Sequence, residues 1–82
     1  MNTKRILWEN VEAVMLHRYH ESNLWRLCHE CKIGPGTGTR IKKMETSVGL
    51  DVIEKIASHF NLQPWQLLVP GLDPSNPPVI DR

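Results

Sequence analysis

The sequence predicts an all-α fold. Apolar side chains recur every three or four residues along 4–19, 24–31 and 50–60, which is the spacing of one face of a helix. We find no convincing strand and no internal repeat. An apolar content of 40 % over 82 residues is that of a folded protein, and it supports one domain with one modest core.

The first two predicted helices span residues 4–19 and 24–31. Asn2 or Thr3 can cap the first helix and Asn23 the second, because a short polar side chain accepts a hydrogen bond from an unpaired N–H of the first turn. The positions expected in the core are Leu7, Val11, Val14, Met15 and Tyr19, then Leu24, Leu27, Cys28 and Cys31.

A third helix is predicted over residues 35–42. Pro35 suits its first position, since the missing N–H would be unpaired there anyway. The helix is weak by composition, because Gly36 and Gly38 each cost about 1 kcal/mol relative to alanine. We therefore expect tertiary packing to hold it in place, chiefly through Ile41.

The second half of the chain predicts a loop at 44–49, a helix at 50–60 and a short fifth helix at 64–69. Asn61 is expected to end the fourth helix in the left-handed conformation. The expected core positions are Leu50, Ile53, Ile56, Ala57 and Phe60, with Trp65, Leu67 and Leu68 from the fifth helix.

A proline-rich tail follows. Pro70 is the first of four prolines in nine residues, so we expect an extended segment that either packs on the surface or is disordered. We divide the chain into a domain at 1–69 and a tail at 70–82. No run of about 18 apolar residues occurs, so no membrane span is expected. No apolar signal core follows the N-terminus, and we expect a cytoplasmic protein.

Charge is unevenly distributed, although the net charge is only +1. Residues 1–25 are neutral, residues 26–43 carry five basic groups and one acidic group, and residues 44–82 carry two basic and five acidic groups. The positive charge thus coincides with the second and third predicted helices, which suits the phosphates of a nucleic acid. An ordinary solvated charge cluster explains the same distribution equally well.

Four side chains that commonly bind zinc lie close together in sequence. His17 and His20 precede Cys28 and Cys31, and His29 could serve as a spare ligand. Each pair falls inside a predicted helix, where cysteine serves equally well as a small core residue. The histidines also precede the cysteines, the reverse of the order in a ββα finger. We therefore expect no metal and no other cofactor.

Other binding and catalytic chemistries lack their motifs. The run Gly34-x-Gly36-x-Gly38 lacks the Gly-Lys-Ser/Thr ending of a P-loop, and no strand precedes it. His59, Asp51 and the serines have no triad-like context, so we do not expect an enzyme.

Four segments follow a recognisable pattern. They are Leu27-Cys28-x-x-Cys31-x-Ile33, Pro35-x-Thr37-x-Thr39-Arg40-Ile41, Leu50-x-x-Ile53-x-x-Ile56-Ala57, and the closing run Phe-Asn-Leu-Gln-Pro-Trp-Gln-Leu-Leu at 60–68. Residues 23–68 thereby resemble the phage-repressor, Cro-like (XRE-type) helix-turn-helix domain. The resemblance implies a five-helix lambda-repressor-like fold whose helix 35–42 enters the major groove. It also implies a DNA-binding transcriptional regulator, repressor-like and of phage or prophage type, that binds a palindromic operator as a homodimer.

The sequence departs from the family pattern at Leu24, Cys28, Lys32 and Gly38. Lys32 stands where the turn often has glycine, so we expect it at positive φ, which is unfavourable for a residue with a side chain. Leu24 replaces a frequent phosphate-binding glutamine, which puts that contact in doubt. Gly38 replaces an apolar residue, so we expect a thinner core beneath the third helix, filled by Trp25 or Trp8.

The resemblance assigns the DNA contacts residue by residue. Base contacts are expected from Pro35, Gly36, Thr37, Thr39 and Arg40. Arg40 is the strongest candidate, because its guanidinium can donate two hydrogen bonds to guanine O6 and N7. Phosphate contacts are expected from Asn23, Arg26, Lys42, Lys43, Thr46 and Ser47.

A second hypothesis is a protein–protein interaction module that keeps the fold but no longer binds DNA. The low net charge, the glycine-rich third helix and Leu24 favour it. Its contact surface would be Trp8, Trp25 or the proline-rich tail. Salt separates the two hypotheses, since a DNA binder loses affinity steeply as salt rises, whereas the interaction module binds no DNA at any salt.

Overall fold

A computed structural model describes residues 2–44 and 48–79. Its elements are the helices α1 (Thr3–Tyr19), α2 (Leu24–Cys31), α3 (Pro35–Lys43) and α4 (Leu50–His59), followed by a 3₁₀ helix (Pro64–Leu68). Within those two ranges no strand occurs. The all-α prediction is confirmed, with a 3₁₀ helix in place of the fifth α-helix.

The helix ends follow local sequence rules. Asn2 caps α1 by accepting a hydrogen bond from the Arg5 N–H at 3.1 Å, and Asn23 caps α2 by accepting one from the Arg26 N–H at 3.0 Å. Asn61 follows α4 at φ 58°, which confirms the left-handed residue expected there. Asn23 and Asn61 lie between successive helices, and the short helices pack on one another.

The 3₁₀ helix is short for identifiable reasons. Gln63 and Gln66 form a capping box, in which the Gln63 N–H donates to the Gln66 side-chain oxygen at 2.7 Å. Val69 precedes Pro70, whose ring disfavours a helical conformation in the residue before it, and Val69 is extended at ψ 122°. Five residues are left, too few for a regular α-helical ladder.

One core lies between the helices. Its fully buried large side chains are Val11, Met15, Leu27, Ile41, Ile56 and Leu67. Leu50 was expected in the core, and that prediction is wrong, because the side chain is 73 % exposed. Leu50 is the first residue of α4 and lies at the rim of an apolar cavity of about 290 Å³ that Leu7, Ile53 and other side chains line.

The proline-rich tail packs on the domain over its described part. Leu72 is buried, and its N–H donates to the Asn10 side-chain oxygen at 3.2 Å. The Asn10 amide group donates to the carbonyls of Leu67 and Val69 at 2.7 and 2.8 Å. Asn10 is itself buried, so one side chain of α1 holds the chain on both sides of Pro70.

Candidate nucleic-acid interface

A three-residue turn joins α2 to α3. Lys32 has φ 58° and ψ 44°, which confirms the positive φ expected where glycine is frequent. Ile33 is buried and its N–H donates to the Cys28 carbonyl at 3.0 Å. Gly34 then precedes Pro35 at the first position of α3. The turn is therefore anchored to the core and fixes the angle between the two helices.

The absence of a side chain at Gly38 lets α3 lie close to α2. A Cβ at Gly38 would overlap the Cys28 sulfur and come within 3.4 Å of Leu24 Cγ. The prediction that Trp25 or Trp8 fills this space is wrong, because the nearest atoms belong to Cys28 and Leu24 and the Trp25 side chain is 72 % exposed. Relative to the family pattern, the sulfur of Cys28 thus occupies the space that the missing side chain at Gly38 leaves.

The outward face of α3 carries three of its exposed residues in one row. Gly36, Arg40 and Lys43 are spaced i, i+4 and i+7, so at 100° per residue they lie on the side opposite the buried Gly38 and Ile41. All three are exposed, and apart from the nearby backbone of α3 and the two adjoining residues, no described atom lies within 4 Å of a Cβ built at Gly36. A backbone or a groove wall could therefore approach α3 closely at Gly36.

The remaining base-contact candidates lie on the two flanks of this row. Pro35 and Thr39 are exposed and border a groove of about 250 Å³ whose other lining residues are Leu24, Trp25 and Cys28. Thr37 is half-buried on the opposite flank. The Thr39 hydroxyl donates to the Pro35 carbonyl at 3.0 Å, so its proton is used inside the helix and its lone pairs remain as acceptors.

Two of the phosphate-contact candidates lie at the end of α3. Lys42 and Lys43 are both exposed in the last turn. Thr46 and Ser47, which were also proposed for phosphate contact, lie outside the residues that the structure describes.

The phosphate-contact candidates at the start of α2, Asn23 and Arg26, already form hydrogen bonds within the domain. The Asn23 side chain accepts the capping hydrogen bond and its amide donates to Glu21 at 3.2 Å. Arg26 donates through Nε to Glu30 at 2.9 Å, and its guanidinium lies 4.1 Å from the centre of the Tyr19 ring. Arg26 therefore points toward α1 and not toward α3, and its charge has a partner.

Glu30 is the centre of a polar cluster that joins α1, α2 and α4. Besides Arg26, it accepts a hydrogen bond from the Tyr19 hydroxyl at 2.9 Å and contacts His59 Nε2 at 2.9 Å. The hydrogen bonds from Arg26 and then Tyr19 lower the pKa of Glu30 to about 2. Burial and the Glu30 carboxylate raise the pKa of Tyr19. Because α3 rests on α2, this cluster also fixes the position of the α3 face.

The cysteines behave as core side chains. Cys28 and Cys31 are buried free thiols, and burial raises the pKa of Cys31 to about 11. Within the part of the chain that the structure describes, no group of three or more His, Cys, Asp or Glu side chains could hold a metal ion. In the same part, no helix is long and apolar enough to cross a membrane.

A family model for the Cro/C1-type HTH DNA-binding domain matches residues 13–71, more than half of the chain. The chain belongs to this family. The matched range begins within α1 and ends just after the 3₁₀ helix, so it includes the α2–turn–α3 unit. No curated protein and no solved structure gave a match. The resemblance inferred from the motifs is thereby confirmed, and the chain is a DNA-binding helix-turn-helix domain of the Cro/C1 type.

Proposed function

We propose that this Cro/C1-type domain is a sequence-specific transcriptional regulator that reads the major groove of operator DNA with α3. It acts as a repressor of phage or prophage type in the cytoplasm, where it occupies a promoter. The observation that carries the proposal is the exposed row Gly36, Arg40 and Lys43 on the outer face of α3, with the opposite face seated on the core.

Arg40 is the main base contact in this proposal. Its side chain is exposed, and it makes no ion pair with any residue in the described ranges. A free guanidinium can donate two hydrogen bonds to O6 and N7 of one guanine, which distinguishes G·C from the other pairs. Pro35, Gly36, Thr37 and Thr39 contact neighbouring base edges or bring the backbone close to them.

The phosphate contacts are ordered by how free each side chain is. Lys42 and Lys43 come first, since both are exposed at the end of α3. Asn23 and Arg26 come second, because a phosphate would have to compete with the hydrogen bonds that already hold them. Thr46 and Ser47 remain candidates from the sequence. The domain at 1–69 carries all of these contacts, and we assign none to the tail at 70–82.

Dimeric binding follows from the usual geometry of the motif. One copy of α3 reads only a few base pairs, so two copies related by a twofold axis read a palindrome with half-sites one helical turn apart. We therefore propose a homodimer on the operator.

Selection of bound duplexes from a random DNA pool tests this function. Wild-type protein should recover a palindromic motif, and Arg40→Ala should weaken or change one position in each half-site. Lys55→Ala is the matched control, because Lys55 is an exposed basic residue on α4. It should leave the motif intact. Recovery of no motif, even at low salt, would overturn the proposal and favour the protein–protein interaction module.

A further inference from the structure

Two exposed aromatic side chains of α2 stack on each other beside α3. Trp25 and His29 are one helical turn apart, with ring centres 5.3 Å apart and planes inclined by 3°. The Trp25 side chain is 72 % exposed, so it contributes little to the core. The stack favours one orientation of the indole, which lowers the entropy cost of a further contact made by its free face.

The two edges of α2 have different surroundings. Arg26 and Glu30 form one edge, which contacts Tyr19 of α1 and His59 of α4. Trp25 forms the other edge, and it lines the groove of about 250 Å³ that Pro35 and Thr39 of α3 also border. A second groove of the same size joins its indole to His29, Ile33 and Pro35. The indole is thus continuous with the surface proposed to read bases.

The chemistry of this edge suits a sugar–phosphate backbone. An indole offers an apolar face and one N–H donor, and Trp25 Nε1 has no hydrogen-bond partner within residues 2–44 and 48–79. The segment 26–43 has a net positive charge, and its one acidic side chain, Glu30, is paired on the opposite edge of α2. No carboxylate side chain lines either of the two grooves beside Trp25.

We propose that Trp25, held by His29, is an additional DNA contact. Its apolar face packs on a deoxyribose of the strand that borders the groove, and its N–H donates to the adjacent phosphate. This rests on the proposed function. The contact is neutral and made to the backbone, so it raises affinity for all sequences and helps position α3 without reading a base.

The test compares four variants with wild type on the selected operator, at several salt concentrations. Trp25→Ala should weaken binding about tenfold, because it removes both the apolar contact with the sugar and the hydrogen bond to the phosphate. It should leave the motif unchanged. The slope of log affinity against log salt should also stay as in wild type, because a neutral contact releases no counterion. Lys43→Ala should reduce that slope by about one. Arg40→Ala should change the motif. Trp25→Phe should lose about threefold, since it keeps an aromatic face but removes one donor.

Fluorescence gives a second readout. DNA should change the emission of wild-type protein more than that of Trp25→Phe, which retains Trp8 and Trp65. The melting temperatures of Trp25→Ala and Trp25→Phe should match that of wild type, because the Trp25 side chain is exposed.

The outcomes separate this inference from the proposed function. If Arg40→Ala changes the motif while Trp25→Ala binds within twofold of wild type, the inference fails and the function stands. If Trp25→Ala changes the motif, the backbone contact is wrong. If wild-type protein binds no duplex at low salt, the proposed function fails.

Discussion

Placing a methyl group on Gly38 should weaken the fold, although alanine is the better helix former. In an unobstructed helix interior, Gly→Ala gains about 1 kcal/mol. At Gly38 the new methyl overlaps the buried Cys28 sulfur and also contacts Leu24. Overpacking of this kind costs about 1–3 kcal/mol. We therefore expect a net loss of about 1 kcal/mol, which lowers the melting temperature by about 5 °C in a domain of this size.

The same substitution should have the opposite sign once the sulfur is removed. In a Cys28→Ala background the methyl occupies the vacated space, and Gly38→Ala should then raise the free energy of unfolding by about 1 kcal/mol. The cycle is measured by urea unfolding of the four proteins followed by circular dichroism. Gly36→Ala is the control, because no atom lies within 4 Å of its Cβ, and it should stabilise both backgrounds. Equal stabilisation by Gly38→Ala in both backgrounds would refute the proposed contact.

Four further predictions follow from single residues. Lys32→Gly should stabilise the fold by about 1 kcal/mol, since the left-handed conformation strains a residue with a side chain; Lys32→Ala, which also removes the charge, should show no such gain in urea unfolding. Asn10→Ala should cost about 3 kcal/mol, because it leaves two carbonyls and one N–H without partners; a loss below about 1 kcal/mol would show that the tail is not held there. Gly36→Ala should raise the melting temperature yet weaken DNA binding in a fluorescence-anisotropy titration, and unchanged affinity would mean that the backbone at Gly36 does not approach DNA. The folded-state pKa of Glu30 is about 2, below its ordinary value of 4.5, so its contribution is complete above about pH 4.5 and is lost as the pH falls toward about 2. Glu30→Gln should therefore be less stable than wild type at pH 7, and its melting temperature should fall less between pH 4.5 and pH 2. If the melting temperatures of the two proteins fall in parallel over this interval, the ionised Glu30 does not stabilise the fold.

Local sequence rules predicted most of the helices and caps. Helical spacing of apolar residues placed α1, α2 and α4, and Pro35 marked the start of α3; the predicted bounds lie within about one residue of the observed ends. Leu50 and Trp65 were exceptions among the expected core positions. Leu50 is exposed and Trp65 is half-buried outside the core cluster, because spacing assigns a residue to a face but does not show whether another element covers it.

Contacts between elements could not be predicted in the same way. Cys28 and Gly38 can each be recognised in the sequence as departures from the family pattern. That the sulfur at 28 fills the space at 38 depends on the distance between α2 and α3, which the sequence does not show. The i, i+4 pair Arg26 and Glu30 can be found by spacing, whereas Tyr19 joins it only through the fold. The same holds for the buried Asn10, whose partners lie 57 to 62 residues away.

The DNA-contact residues stay predictions from motif and exposure. The structure narrows them. The side chains of Arg40, Lys42 and Lys43 are exposed and have no hydrogen-bond partner among residues 2–44 and 48–79, whereas Asn23 and Arg26 already form hydrogen bonds. Trp25 was considered from the sequence only as core filling or as a protein contact. Its place beside Pro35 becomes visible once the grooves between α2 and α3 are known.

The most direct test of base reading by α3 is a double-mutant cycle that combines Arg40→Ala with a base-pair replacement in the operator. Binding of wild type and Arg40→Ala would be measured on the selected duplex and on a duplex with the guanine of each half-site replaced. Wild type should lose about 1–3 kcal/mol per replaced pair. Arg40→Ala should bind both duplexes equally, because the group that distinguishes them is gone. Retention of the full wild-type discrimination by Arg40→Ala would contradict the account.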